Sequence, residues 1–400
     1  MTVTVKKSVL SGVTNAPPSK SDAHRSLISA ALSKESKVFN IAESEDIKAT
    51  LNCLKDLGTN IEKNNDAIII GGFNPFNIPE NTVIDCFESG STLRFLLPLC
   101  MLSGKSVTLK GSPRLMERPQ DIYEDICKKQ GIMFDRTSES ITVCGKLKGG
   151  EYNVRGDISS QFITGLLFAL PLIFEDSKIV IEGRLESKPY IDMTLNTLRR
   201  FGIEIKEEAY GYFIKGNQKY GNKNVTVEGD YSNAAFLDAF NLLGGSVKVL
   251  GLDEKSLQGD RVYLRMYEDL KNGVKSFDLS DCPDLAPIMF ALSAALGGAY
   301  FKGTKRLKIK ESDRADAMKR ELSKFGIELT VEENSVTVGK GKLCAPKEAL
   351  WGHNDHRIVM SLAVLCSVTG GEIKGAEAVS KSFPDFFEKI GTLGFVSNET

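Results

Sequence analysis

The sequence predicts an α/β (α+β) protein of two similar domains, each made of three repeated units. Three observations carry this reading. A helix that stops at a glycine and gives way to an alternating strand recurs about six times along the 400 residues. A second helix, rich in Ala, Leu and Ile and opened by small polar residues, keeps the same beat. A Gly-, Asn- and Lys-rich stretch at 215–224 separates three units from three.

The first element ends at Gly58, Gly131, Gly202 and Gly326, with weaker copies at Gly273 and Gly394, mostly about 70 residues apart. A glycine there suits the left-handed position that closes a helix without a Cβ clash. The runs that follow, such as Ile327-Glu-Leu-Thr-Val and Val336-Thr-Val, alternate as half-buried strands do. The second element starts near Ser21, Ser91, Ser160, Ser232, Asp284 and Asn354. Its nearly all-apolar helices, Arg25–Ala31, Arg94–Met101, Phe162–Leu172, Ala234–Leu243, Ala286–Leu296 and Ile358–Cys366, are predicted to be buried. Six capped helices account for the Ser, Asp and Asn residues on their own. If the repeats stack in one orientation, however, the buried helices run parallel and their positive N-termini collect at one surface, an arrangement suited to anions.

A formal net charge of −1 excludes a global field for nucleic acid or an acidic membrane surface, so any anion binding has to be local. Met1–Leu10 has no apolar core of the signal-peptide kind, and the longest apolar stretch, near Ile163–Phe174, falls short of a bilayer span. These features predict a cytoplasmic protein. The eight cysteines include no C-x-x-C pair and are read as reduced, buried packing residues. His353 and His356 lack a third ligand at a recognisable spacing for zinc. No phosphate-binding Walker loop or dinucleotide fingerprint is found, which disfavours ATP and NAD chemistry.

The helix starts hold the candidate chemistry. Lys20 and Arg25 lie where the helix dipole disfavours cations unless an anion joins them. Ser89-Gly90-Ser91-Thr92 is a hydroxyl-rich, Gly-containing opening that can cradle a phosphate. Arg118 precedes Pro119, which biases it to an extended backbone. Ser159-Ser160-Gln161 and Ser187-Lys188-Pro189-Tyr190 add neutral donors, a cation and an aromatic ring. Lys310-Glu311-Ser312-Asp313-Arg314 opens another helix, and Asn354-Asp355-His356-Arg357 sets charge directly against an apolar run. Among these cations stand single acids, Asp284, Glu311 and Asp355, so the cations are expected to neutralise substrate anions and the carboxylates to move protons.

In this order, these segments resemble the EPSP synthase (3-phosphoshikimate 1-carboxyvinyltransferase) branch of the enolpyruvyl transferases, as do Glu117-Arg118-Pro119, Ser187-Lys-Pro-Tyr-Ile-Asp192, Glu228-Gly-Asp230, Pro283-Asp284 and Lys381-Ser-Phe-Pro-Asp385. The resemblance spans nearly the whole chain. It implies transfer of the enolpyruvyl group of phosphoenolpyruvate to shikimate 3-phosphate, with no metal or organic cofactor and a monomeric enzyme. It further implies two inside-out α/β domains of three βαβαββ-like units that close over a cleft, with crossings near Ala16 and Val227, so that residues 1–15 join 228–400 and 16–227 form the other domain. Shikimate-phosphate contacts then fall on Lys20, Ser21, Arg25, Ser159, Ser160, Ser187, Asp284 and Lys310. Phosphoenolpyruvate contacts fall on Lys20, Gly90, Arg118, Gln161, Arg314, Arg357 and Lys381. Asp284 becomes the acceptor of the substrate hydroxyl proton, and Glu311 the leading donor to the methylene carbon, with Lys20 competing.

Two departures stand out. Phe87-Glu88 occupies a place where members commonly carry Gly-Asn, and Arg306 one where some carry Asn, a contact not carried over. The sister transferase acting on UDP-N-acetylglucosamine is the nearest alternative, but its reactive loop cysteine has no counterpart in Gly111–Gln120. An inactive metabolite-binding protein is disfavoured by the joint presence of Asp284, Glu311 and Lys20. A nucleic-acid-binding protein is disfavoured by the charge balance.

Overall fold

The computed structural model describes residues 1–64 and 67–399. The chain divides into two compact units, Lys20–Val227 and a second formed by Met1–Ser19 with Glu228–Thr400. Each has its own apolar core.

Among the described residues, the first unit contains helices α1 (Lys20–Leu32), α2 (Glu45–Asp56), α3 (Gly90–Cys100), α4 (Pro113–Glu117), α5 (Asp121–Gln130), α6 (Ser160–Ala169) and α7 (Lys188–Arg200). The second contains α8 (Tyr231–Leu242), α9 (Tyr263–Lys271), α10 (Ala286–Ala295), α11 (Arg314–Lys324), α12 (His356–Thr369) and α13 (Phe386–Thr392). The predicted apolar helices are α1, α3, α6, α8, α10 and α12, and they lie inside; in α10 every residue from Ala286 to Ala294 is buried. The amphipathic helices α2, α5, α7, α9, α11 and α13 are followed by the six predicted glycines, all at positive φ: Gly58, Gly131, Gly202, Gly273, Gly326 and Gly394. No helix among the described residues is long and apolar enough to cross a membrane.

Among the described residues, five four-stranded sheets share one plan, a parallel pair extended by two antiparallel neighbours. Two of them are completed by strands from far along the chain. Asn224–Thr226 pairs in parallel with Ser36–Phe39, which closes the first unit on its own beginning. Thr2–Lys6 lies antiparallel to both Gly371–Lys374 and Val396–Glu399, which ties the N-terminus into the second unit. Val3 and Val5 are buried there and Thr4 is exposed, as a period of two requires. The remaining sheet is the two-stranded pair Ser11–Asn15 with Ser246–Leu250.

Two expectations need correction. Lys310-Glu311-Ser312-Asp313 does not begin a helix; these residues precede α11, with Asp313 as its N-cap and Arg314 as its first residue. Of the eight cysteines, six are buried, but Cys144 is half-buried and Cys344 is exposed, because Cys344 lies in the irregular segment before Leu350 rather than on a core helix.

In the first unit, α3 and α6 cross at closest approach at Gly165. A Cβ there would stand 2.2 Å from the Arg94 carbonyl oxygen and 2.3 Å from Tyr123 Oη. The Tyr123 hydroxyl donates to that carbonyl at 2.6 Å and lies 3.1 Å from the carbonyl of Phe162, so neither obstacle is free to move. Gly165→Ala is therefore expected to destabilise the protein by roughly 1–3 kcal/mol despite alanine's better helix propensity. Denaturant unfolding checks this; a neutral or stabilising change would refute the crossing.

Candidate active site

In the first unit the starts of the buried helices are joined through polar side chains. Lys20, the first residue of α1, places Nζ 2.6 Å from Asp46 Oδ2 of α2. One turn on, Arg25 is buried. Its Nη1 donates to the carbonyl of Ser21 at 2.6 Å, its Nε to Thr194 Oγ1 at 2.9 Å and its Nη2 to the carbonyl of Tyr190 at 2.9 Å. Burial pulls the Arg25 guanidinium down to about 10, partly opposed by nearby Asp22. These bonds join the start of α1 to that of α7, where Ser187 sits buried at a left-handed φ of 58° just before Lys188.

A second group forms at α3 and α6. Gln161 accepts from Arg94 Nη1 at 2.6 Å and donates to Ser91 Oγ at 2.9 Å, which bridges the two helix starts. Ser159 caps α6 by accepting from the Gln161 N–H, and Ser160 is its buried first residue. Arg118 has the extended backbone that Pro119 imposes, with φ −64° and ψ 145°. Its guanidinium lies against Gly90: a Cβ on Gly90 would fall 2.6 Å from Arg118 Nη1. Glycine is what lets this cation approach the α3 N-terminus. Phe87, three residues earlier, is half exposed and holds a left-handed φ of 51°.

The second unit builds an ionic cluster instead. Arg314 has a side chain 1% exposed and is surrounded by acids. Its Nη1 donates to Asp284 Oδ1 at 2.7 Å, its Nη2 to Glu311 Oε2 at 2.8 Å and its Nε to Asp355 Oδ2 at 2.9 Å. Asp284, in a 3-10 turn before α10, also receives Arg357 Nη2 on Oδ2 at 3.0 Å and has Lys310 Nζ 3.2 Å from Oδ1. Asp355 is fully buried; it caps α12 by accepting the Arg357 N–H and accepts the Ser312 hydroxyl at 3.0 Å. Lys381 joins the edge of the cluster by donating to the carbonyl of Asn354. Arg306 is buried nearby and donates to the carbonyl of Ser280.

Burial alone would raise the Asp284 carboxyl, but Arg357, Lys310 and Arg314 together hold it well below the usual carboxylate range. Burial lowers the Lys310 ammonium, with Asp284 acting against it. The Arg314 guanidinium is held well above its ordinary value, because Asp355, Glu311 and Asp284 overcome its burial.

The structure thus gathers Asp284, Lys310, Glu311, Arg314 and Arg357 into one network with Lys381 at its edge. It gathers Gly90, Arg118 and Gln161 at the starts of α3 and α6, and Lys20, Ser21 and Arg25 on α1, with Ser187 at the start of α7. Sequence reasoning missed Asp46, the acid that holds Lys20, and Asp260, a fully buried carboxylate that accepts from the Ser232 hydroxyl. Neither stands in a charged motif. Asp355 was legible, being flanked by basic residues against an apolar helix.

The repeated units of four-stranded sheet and helix match the fold of the enolpyruvyl transferases. Among solved structures, the chain superposes on EPSP synthase from Acinetobacter baumannii with a TM-score of 0.77, at 24% identity over 99% of both chains. It also superposes on the enolpyruvyl transferase NikO from Streptomyces tendae with a TM-score of 0.76, at 14% identity over 100% of this chain and 98% of that one. The 3-phosphoshikimate 1-carboxyvinyltransferase of Clostridium kluyveri is 42% identical, covering 98% of this chain and 97% of the relative. That of Clostridium novyi is also 42% identical, over 96% of each. The family model for EPSP synthase (3-phosphoshikimate 1-carboxyvinyltransferase) matches residues 5–390. The chain belongs to the EPSP synthase family.

Asp260 gives this unit a pH signature. Burial first and the neighbouring Asp284 second push its carboxyl up to about 6, against Arg357 and the Ser232 hydroxyl. An unfolded aspartate titrates near ~3.9. The folded state therefore binds the extra proton between these values, and the stability this provides is lost as pH rises through about 6. Asp260→Asn is expected to flatten the fall in unfolding free energy over that window. Urea unfolding at a series of pH values measures it, and an unaltered slope would contradict the assignment.

Proposed function

We propose that this chain transfers the enolpyruvyl group of phosphoenolpyruvate to the 5-hydroxyl of shikimate 3-phosphate, releasing phosphate. The observation that carries the reading is Asp284, a half-buried carboxylate held ionised by three cations of the kind that bind phosphate and carboxylate.

In this reading Lys20, Ser21, Arg25, Ser159, Ser160, Ser187, Asp284 and Lys310 bind the shikimate phosphate. Lys20, Gly90, Arg118, Gln161, Arg314, Arg357 and Lys381 bind phosphoenolpyruvate. The forks of Arg118, Arg314 and Arg357 suit planar carboxylate and tetrahedral phosphate oxygens. Substrate anions then draw on the cations that depress Asp284 in the free protein. As Arg314, Arg357 and Lys310 turn to the substrates, Asp284 regains basicity and becomes a usable acceptor.

The reaction follows from this arrangement. Glu311, or Lys20 in competition with it, protonates the methylene carbon of phosphoenolpyruvate and leaves a cation-like carbon beside the phosphate ester oxygen. The 5-hydroxyl oxygen bonds to that carbon and gives its proton to Asp284, forming a tetrahedral intermediate. Loss of a methyl proton and departure of phosphate restore the carbon–carbon double bond; the methyl proton returns to the group that supplied it, and the proton held by Asp284 leaves with the phosphate. Preorganised cations stabilise the charges, and positioning of the two reactants supplies much of the rest. The two units serve as the enzyme's two domains, and the protein works as a monomer in the cytoplasm.

Asp284→Ala should lower kcat by about 10²–10⁴-fold while the protein stays folded, since Arg314 keeps Glu311 and Asp355. Phosphate release and formation of the enolpyruvyl ether, followed together, test both enzyme and variant. Release that does not require shikimate 3-phosphate, or a folded variant with wild-type turnover, would contradict the assignment.

A further inference from the structure

Buried beneath the helix starts of the first unit runs a chain of hydrogen bonds that involves none of the residues assigned above. His24 Nδ1 of α1 lies 2.7 Å from Thr50 Oγ1 of α2, and Thr50 Oγ1 lies 2.7 Å from Thr92 Oγ1 of α3. Thr92 Oγ1 donates to Ser89 Oγ at 2.7 Å, and the Thr92 N–H donates to the same oxygen at 3.2 Å. His24 and Ser89 are each 1% exposed, and Thr50 and Thr92 are fully buried. α2 also holds Lys20 through Asp46, one turn before Thr50. One face of α2 therefore ties the start of α1 to the start of α3.

We propose that His24, Thr50 and Thr92 are positioning residues for phosphoenolpyruvate binding: they orient Ser89, and through it the N–H groups that open α3. The proposal rests on the reading of Gly90 as a phosphoenolpyruvate contact. Ser89 occupies two of the opening N–H groups, that of Thr92 through Oγ and that of Leu93 through its carbonyl at 3.1 Å. The N–H groups of Gly90 and Ser91 are the two that this arrangement directs to an anion.

The chain has a direction. Burial, and then the nearby cations Lys20 and Arg25, hold the His24 imidazole well below its ordinary range, so it is neutral and carries one N–H. His24 Nε2 is buried with no hydrogen-bond partner among the described residues. A proton on Nε2 would leave a buried donor unmet, which is rarer in proteins than an unmet acceptor. The proton therefore belongs on Nδ1. His24 donates to Thr50, Thr50 to Thr92 and Thr92 to Ser89. A competing acceptor for Thr50, the Asp46 carbonyl, lies farther off at 3.3 Å.

Thr50→Val keeps the shape of the side chain and removes the link between histidine and Thr92. Steady-state kinetics should show the KM for phosphoenolpyruvate rising roughly 5–10-fold, the loss of about one hydrogen bond's net contribution, while the KM for shikimate 3-phosphate stays close to wild type and Thr50→Ser restores both. An unchanged KM for phosphoenolpyruvate in folded Thr50→Val overturns the proposal. So does an equal loss for both substrates that Thr50→Ser does not repair. Wild-type protein that forms no enolpyruvyl ether in the same assay overturns the underlying functional reading instead. Should Thr50→Val fail to fold, ¹⁵N NMR of the wild-type histidines decides, since the sequence has only three: an Nδ1–H tautomer at His24 is expected, and an Nε2–H tautomer overturns the proposed direction.

Discussion

Arg314 is the group around which the second unit is organised. A guanidinium with 1% of its side chain exposed cannot shed its proton and so has to be neutralised where it stands. Asp284, Glu311 and Asp355 do this from three directions, and each comes from a different part of the chain. The turn before α10, the segment before α11 and the cap of α12 are thereby fixed to one another. Three acids share the neutralisation, so removing one leaves the guanidinium with two partners and not as a stranded charge. The same constraint keeps Asp284 ionised, so the interaction that fixes the architecture also sets the chemistry.

The two units use one repeat for different electrostatic ends. In Lys20–Val227, α3 and α6 are capped by Ser89 and Ser159. A neutral hydroxyl meets an N–H but leaves the positive end of the helix available, and arginines stand beside it. In the other unit, α8, α11 and α12 are capped by Asp230, Asp313 and Asp355. A carboxylate cap cancels the helix's partial charge. The first unit thus leaves the positive ends of α3 and α6 without an acid cap, whereas the second meets those of α8, α11 and α12 with carboxylates.

Much of this was legible in the sequence because it is local. A left-handed helix stop demands glycine, and all six predicted stops hold positive φ. Arg118 is extended because the following proline makes it so. Asp355 and Arg357 were recognisable from charge set against an apolar helix, and Asp284, Glu311 and Arg314 from motifs that resemble the family's. What stayed hidden depends on contacts between distant segments. Asp46 lies in an ordinary acidic first turn, and only folding brings it to Lys20. Thr50 looks like an interior helix threonine, and Thr92 like one hydroxyl of a helix opening, until α2 meets α3. Asp260 has no charged motif around it, and its role follows from burial beside Asp284 and Arg357. The reading of all cysteines as buried failed at Cys344, because spacing says nothing about exposure in an irregular segment.

The most direct test is the titration of the Asp284 carboxyl in the free protein, followed by carboxyl ¹³C NMR and assigned with Asp284→Asn. The account predicts that this carboxyl titrates well below the usual aspartate range and stays ionised where an ordinary aspartate, with a pKa of ~3.9, is half protonated. A midpoint at or above the ordinary aspartate value of ~3.9 would show that Arg314, Arg357 and Lys310 do not govern the carboxylate, and would contradict the ionic cluster as the basis of the site.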